Sequence, residues 1–252
     1  MNDDGMSTFR FKRFEVVNER SAMKVNTDGV LLGASMTITP SDRRFLDIGT
    51  GTGTIALMAA QRASDMLNDG FPPLRITAID IDEPSAEEAA ANFRNSPWPD
   101  ILEARNESLE TYLSSLGNEE RFDLIFSNPP YFDEDTLAPE LRRNNARHTS
   151  TGLSYRELTD LAAERLSPDG RLSMVLPADT EHDLTRYARM TGLHLFRILR
   201  IRTVPRKSPI RIIAEFSLSR CMAPEDRTIT IHDEGKYSEE YLSLTRDFYL
   251  FA

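Results

Sequence analysis

Three short stretches hold residue types and spacings that can do chemistry. The first is Leu46-Asp47-Ile48-Gly49-Thr50-Gly51-Thr52-Gly53, a strand-like run entering alternating glycines. Glycines accept positive φ and let a ligand reach the backbone, and the helix that follows points its N-terminus at that ligand. The second is Asp80-Ile81-Asp82, at the end of another apolar run. A carboxylate there can accept both hydroxyl donors of a ribose, so the pair describes a nucleoside pocket at the carboxyl ends of parallel strands. The third is Ser127-Asn128-Pro129-Pro130-Tyr131. Two prolines fix φ and hold the Asn128 amide and the Pro129 carbonyl as rigid acceptors. Two such acceptors can take both hydrogens of a planar amino group and draw its lone pair out of conjugation for in-line attack. No strong general base is required, because the proton can leave after the new bond forms. Tyr131 can stack on the ring that bears the amine. Positioning and electrostatics would supply most of the rate.

Elements that must position these residues are visible as alternating patterns. Strand-like runs cover 43–49, 75–80, 101–105, 122–128, 171–177, 194–204 and 211–219. Helical patterns cover 55–63, 84–95 with Pro84 in the first turn, 154–166 stopped by Pro168 and Gly170, and 181–190. Alternation of this kind implies a mainly parallel sheet covered on both faces. The last two strands lack a helix between them and should form an antiparallel hairpin. The expected architecture is α/β and Rossmann-like: a mainly parallel seven-stranded sheet with a C-terminal antiparallel hairpin and helices on both faces. Residues 1–40 should be a strand-plus-helix extension packed on the core, 41–222 the catalytic domain, and 223–252 a polar linker into a short helix.

Composition narrows the class. The chain has 252 residues, a net charge of −10 and 40% hydrophobic residues, which excludes a disordered or collagen-like protein. A single cysteine, Cys221, excludes a disulfide framework and suits a reducing compartment. His182, His194 and His232 have no ligand spacing, so no metal site is expected. No apolar run approaches the ~20 residues of a membrane helix. The polar N-terminus shows no signal-peptide core, which together with these features gives a cytoplasmic expectation.

The dinucleotide fingerprint is G-x-G-x-x-G. The pattern G-x-G-x-G preceded by Asp47 instead resembles class I S-adenosylmethionine (SAM) methyltransferases, which implies Asp47 near the methionine end of the cofactor and Asp80 on its ribose. Further blocks extend the resemblance: 9–34 with AMKVNTDGVLLGA, NFRNSPW (92–98), FDLIFSNPPYF (122–132), ARHT (146–149), GRLSMVLP (170–177) and DFYL (247–250). Over residues 9–250 the chain resembles the bacterial tRNA1(Val) adenine-37 N6-methyltransferases. The resemblance implies transfer of a methyl group from SAM to the N6 amino group of adenine 37 in the anticodon loop of a valine tRNA. It also places Lys24, Thr27 and Asp28 near the cofactor, with capping of the helix near Gly29 as the competing role. The family usually has Gly where this chain has Asn26, and Asn tolerates left-handed backbone, so the turn should survive. The superfamily resemblance also implies a contact to the cofactor's adenine after the third strand, from one of Asn106, Glu107 and Ser108, with Glu107 the candidate.

RNA needs local positive surface rather than a positive total. Between Leu184 and Ala214 lie eight cations and no acid, and the turn 205–209 with Arg206 and Lys207 is the best RNA contact. A second cluster is Arg142, Arg143, Arg147 and His148, within a long loop, 133–150, that would act as a lid. Phe9, Phe11 and Phe14 either stack bases or pack into the core, with packing favoured. The expected partner is tRNA, and a monomer is favoured. The alternatives are an amino-methyltransferase acting on a release-factor glutamine, ribosomal RNA or DNA, and a non-catalytic SAM- or RNA-binding module. Only about 40 residues precede the core, which counts against the release-factor enzymes and their helical N-terminal domain.

Overall fold

The computed structural model describes residues 7–66, 73–130 and 153–251. It begins with a two-stranded hairpin, β1 (Thr8–Arg10) and β2 (Glu15–Val17), followed by α1 (Thr27–Ser35). The strand part of this extension is a hairpin, and the helix follows it. Phe11 and Phe14 are buried and stack with each other at 4.6 Å, and Phe11 bridges to Tyr249 near the C-terminus. These rings are core, not free platforms for bases.

Next come β3 (Arg44–Ile48), α2 (Thr54–Met66), β4 (Arg75–Asp80), α3 (Glu83–Arg94) and β5 (Leu102–Asn106). α4 (Leu109–Ser115), β6 (Phe122–Ser127), α5 (Tyr155–Arg165), β7 (Leu166–Pro177) and α6 (Glu181–Met190) follow. The chain closes with β8 (His194–Arg202), β9 (Arg211–Ser217), β10 (Glu225–Thr230), the small pair β11 (His232–Asp233) and β12 (Lys236–Tyr237), and α7 (Glu239–Thr245). The main sheet runs β10-β8-β9-β7-β6-β3-β4-β5. β9 is antiparallel to both neighbours, and every other pairing in that sheet is parallel. The mainly parallel sheet and its late antiparallel hairpin are as expected.

Local chemistry explains most boundaries. Asp82 caps α3 by accepting from Ser85 N–H, with Pro84 in the first turn. Ser154 and Glu157 form a reciprocal capping box at α5. Strand residues alternate between two buried clusters: Phe45, Leu124 and Phe126 face α1–α3, whereas Leu46, Ile48 and Ile125 face α5 and α6. Burial on both faces is why these strands read as continuous apolar runs.

Two elements depart from the sequence reading. The segment read as a polar linker contains β10, an eighth strand parallel to β8. An edge strand needs only one ladder and can carry charge outward. Here Glu225 and Asp226 bind Arg197 and Arg200 of β8, so polarity is part of the pairing. α4 was also unforeseen. It is seven residues long, too short to show a periodicity.

Candidate active site

The site lies at the carboxyl ends of β3, β4 and β6, with β3 between the other two. The turn after β3 places Gly49, Gly51 and Gly53 at φ of 72°, 56° and 81°. Gly53 is fixed by space as well, since a Cβ there would lie 2.5 Å from Phe93 Cε1 on α3. On the side-chain face of Gly49 none of the described residues approaches within 4 Å, so they leave the backbone open there.

Asp80, at the end of β4, holds this turn. Its carboxylate accepts Gly51 N–H at 2.8 Å and Asp82 N–H at 2.9 Å. Partial burial raises its pKa despite those bonds. Asp47 lies fully buried under the turn. One carboxylate oxygen accepts from Thr50 Oγ1 at 2.7 Å, and the other has no partner within ordinary hydrogen-bond distance among the described residues. Burial, helped by the charge of Asp80, pushes the Asp47 pKa up to about 7.

Asn128 follows β6, whose register sets Phe126 beside Asp47. It is 6% exposed, and Pro129 beside it is buried. Its Nδ2 donates to the Met23 sulfur at 3.4 Å. Met23 also crosses the glycine turn: its carbonyl lies 3.5 Å from where a Cβ on Gly51 would sit. Residues 17–26 therefore form a strap from the hairpin to α1, passing between the two motifs. Neither Met23 nor the contacts that seat the strap were visible as site features. An unremarkable methionine in a loop carries no signal of its own.

The N-terminal candidates divide. Lys24 is exposed and its ammonium donates to the Glu19 carbonyl at 2.6 Å. Thr27 opens α1 and is exposed. Capping falls to Asn26, whose Oδ1 accepts Gly29 N–H at 2.9 Å, not to Thr27 or Asp28. Asn26 has φ −140°, so extended backbone replaces the left-handed geometry expected there. Asp28 pairs with Arg211 at 2.8 Å, tying α1 to the start of β9. After β5, Ser108 is the N-cap of α4 and Asn106 donates to the carbonyls of Asp80 and Ile81. That leaves the half-buried Glu107 as the member of the trio whose side chain has neither task. Its N–H donates to the Asp80 carbonyl at 3.2 Å. Ile81 is 79% exposed beside Asp80, an apolar surface the sequence reading did not single out.

The acid-free stretch 184–214 is not a free basic surface. Arg197 binds the buried Glu215 at 2.7 Å and also Glu225, Arg200 binds Glu181 and Asp226, and Arg211 binds Asp28. The acids come from outside the stretch, so linear charge counting overstates it. Arg206 and Lys207 differ: both are exposed, with no ion pair among the described residues. Their turn joins the carboxyl end of β8 to β9, at the same end of the strands as Asn128 but with β8 three strands across the sheet from β6. Tyr131, Arg142, Arg143, Arg147, His148 and the loop 133–150 lie outside the described residues. Among the described residues there is no cluster of three metal-ligating side chains, and no helix is long and apolar enough to cross a membrane.

A family model described as "Methyltransferase small domain" matches residues 21–186. A protein of Bacteroides fragilis named tRNA1(Val) (adenine(37)-N6)-methyltransferase is 40% identical over 242 residues, covering 96% of this chain and 97% of its own. One of Porphyromonas gingivalis with the same name is 43% identical over 251 residues, covering 96% of this chain and 94% of its own. Among solved structures, one described as a predicted O-methyltransferase from Agrobacterium tumefaciens aligns with a TM-score of 0.63 at 16% identity, over 88% of this chain and 96% of that one. A ribosomal protein L11 methylase from Lactobacillus delbrueckii aligns with a TM-score of 0.50 at 16% identity, over 83% of this chain and 98% of that one. At such identities the structural likeness bears on the fold alone.

Proposed function

The chain belongs to the methyltransferase small-domain family, and within it to the tRNA1(Val) (adenine(37)-N6)-methyltransferases, and we propose that it transfers a methyl group from SAM to N6 of adenine 37 in a valine tRNA. The observation that carries the reading is the Asn128 amide, buried beside the glycine turn and linked to it through Met23. The residues present suit the cofactor. The buried Asp47 oxygen, without a partner at ordinary distance among the described residues, suits a ligand bearing positive charge, and the Asp80 carboxylate suits paired hydroxyl donors. Ile81 offers an apolar face beside Asp80. When bound, SAM supplies an electrophilic methyl carbon.

The protein's own part in the reaction is positioning and polarisation. Asn128 Oδ1 and the Pro129 carbonyl accept the two hydrogens of the adenine amino group, which raises the electron density of its lone pair. Held without conformational slack by Pro129 and Pro130, these acceptors require little reorganisation as charge develops. As the carbon–nitrogen bond forms, the methyl–sulfur bond would break and S-adenosylhomocysteine would leave, and the amino proton then passes to water. Tyr131 would stack on the base, and Glu107 would accept from the cofactor's adenine. Lys24 of the strap and Thr27 and Asp28 of α1 would border the methionine end of the cofactor. Arg206 and Lys207 supply phosphate contacts on the same rim, with Arg142, Arg143 and Arg147 as further contacts to the anticodon arm. The protein would act as a monomer in the cytoplasm.

The test is transfer of labelled methyl from SAM to valine tRNA transcripts with adenine or guanine at position 37. Label confined to the adenine transcript supports the reading. Equal labelling of both rejects the site, and labelling of a release factor instead moves the substrate to a glutamine amide.

A further inference from the structure

Glu88 sits on α3 facing inward and is 3% exposed. Its carboxylate accepts three consecutive backbone N–H groups of the strap: Glu19 at 2.8 Å and Arg20 at 2.7 Å to Oε2, and Ser21 at 3.1 Å to Oε1. Among the described residues no cation pairs with it. One turn earlier, Ser85 Oγ donates to Asp82 Oδ2 at 2.6 Å, accepts Ala22 N–H at 3.4 Å and lies 3.2 Å from Ser21 Oγ. One turn later, Asn92 brackets Val17, accepting its N–H at 2.9 Å and donating to its carbonyl at 3.0 Å. Spacing of three and four residues puts this polar stripe on one helix face, next to the apolar face of Ala89 and Phe93. A buried carboxylate is costly unless hydrogen-bonded, and this one is given over to fixing three backbone amides.

The stripe ends where Met23 begins. A thioether sulfur can accept a hydrogen bond but has no hydrogen to give, so it favours the NH2 side of the Asn128 amide, the side that faces it here. Oδ1 is thereby turned the other way. A flipped amide would aim donors at the donors of the target amino group. Resting on the functional reading above, we propose that Glu88 is a positioning residue: through the strap it seats Met23 so that Asn128 presents its oxygen, not its nitrogen, to the substrate amine.

The test uses the full chain with Glu88→Gln, Met23→Leu and the double variant, measuring kcat on valine tRNA, SAM affinity by calorimetry and amide hydrogen exchange. Glu88→Gln keeps the side-chain shape but sets an NH2 group against strap N–H donors. The expected result is faster exchange at residues 19–21 and a kcat about five- to tenfold lower, with SAM affinity within about twofold of wild type. Met23→Leu should lower kcat similarly while the strap amides stay protected. Because both act on one amide, the double variant should lose no more than the larger single loss. Multiplying losses, a fall in SAM affinity that parallels kcat, or an active wild type matched by both variants each overturn the proposal alone. A wild-type protein that transfers no methyl to tRNA overturns the functional reading and this proposal with it. If Glu88→Gln fails to fold, the split between kcat and SAM affinity in Met23→Leu decides the matter.

Discussion

Replacing Asp47 with asparagine should stabilise the ligand-free protein at pH 8 while weakening its hold on SAM. Asp47 is fully buried, with one oxygen bonded to Thr50 and the other without a partner at ordinary distance among the described residues, and its pKa is pushed from 3.8 to about 7. At ~1.36 kcal/mol for each tenfold change in proton affinity, that displacement is worth about 4 kcal/mol. The folded protein binds the proton more tightly than the unfolded chain. This group's contribution to stability therefore falls as pH rises from about 4 to about 7 and stays low above that. Asparagine keeps an acceptor for Thr50 and removes the charge. At pH 8 the variant should gain a sizeable part of that ~4 kcal/mol, and near pH 4 the two proteins should be nearly equal. Urea unfolding at pH 5, 6.5 and 8 measures this. A bound positive charge would favour the ionised carboxylate, so wild-type SAM affinity should rise with pH through about 7. Calorimetry in two buffers of different ionisation enthalpy should show proton release on binding at pH 6.5. The Asn variant should show neither effect, and should bind SAM at least about tenfold more weakly at pH 8. Equal urea midpoints for the two proteins at pH 8, with no proton release by wild type, would refute the reasoning.

Asp80→Asn leaves one oxygen to serve the Gly51 and Asp82 amides and any hydroxyl donors, so SAM affinity by calorimetry should fall about ten- to hundredfold. Reversing both charges of the exposed turn, Arg206→Glu with Lys207→Glu, should raise KM for tRNA and flatten its salt dependence by about two ions, while SAM affinity stays within about twofold. Gly53→Ala must place its Cβ 2.5 Å from Phe93 at positive φ, and thermal unfolding should show a loss of about 1–3 kcal/mol.

Much of the fold was legible because β3, β4, β6 and β7 are buried on both faces and so appear as unbroken apolar runs. The placement of the glycine turn, Asp80 and Asn128 at neighbouring strand ends was legible because each closes an apolar run, and the turn carries three positive-φ glycines. β10 was hidden because an edge strand that exchanges ion pairs with its neighbour looks like a linker. The charge of 184–214 was misjudged for a related reason. Glu181 and Glu215 flank the stretch, and Asp28 lies far from it in the chain but beside Arg211 in space. Met23 and Glu88 were illegible because their partners are distant in sequence: Glu88 meets the strap across 67 to 69 residues, and Met23 meets Asn128 across 105. Neither residue type announces such a contact. Asn26 was read for the wrong property, backbone tolerance, when its side chain was the useful part.

The central claim is that Asn128 grips the amino group undergoing methylation. Single-turnover transfer of labelled methyl to valine tRNA by Asn128→Ala, alongside calorimetric titration of the same protein with SAM, tests it directly. Transfer should fall by at least about a thousandfold while SAM affinity stays within about threefold. Transfer within tenfold of wild type, or SAM binding lost together with transfer, would contradict it.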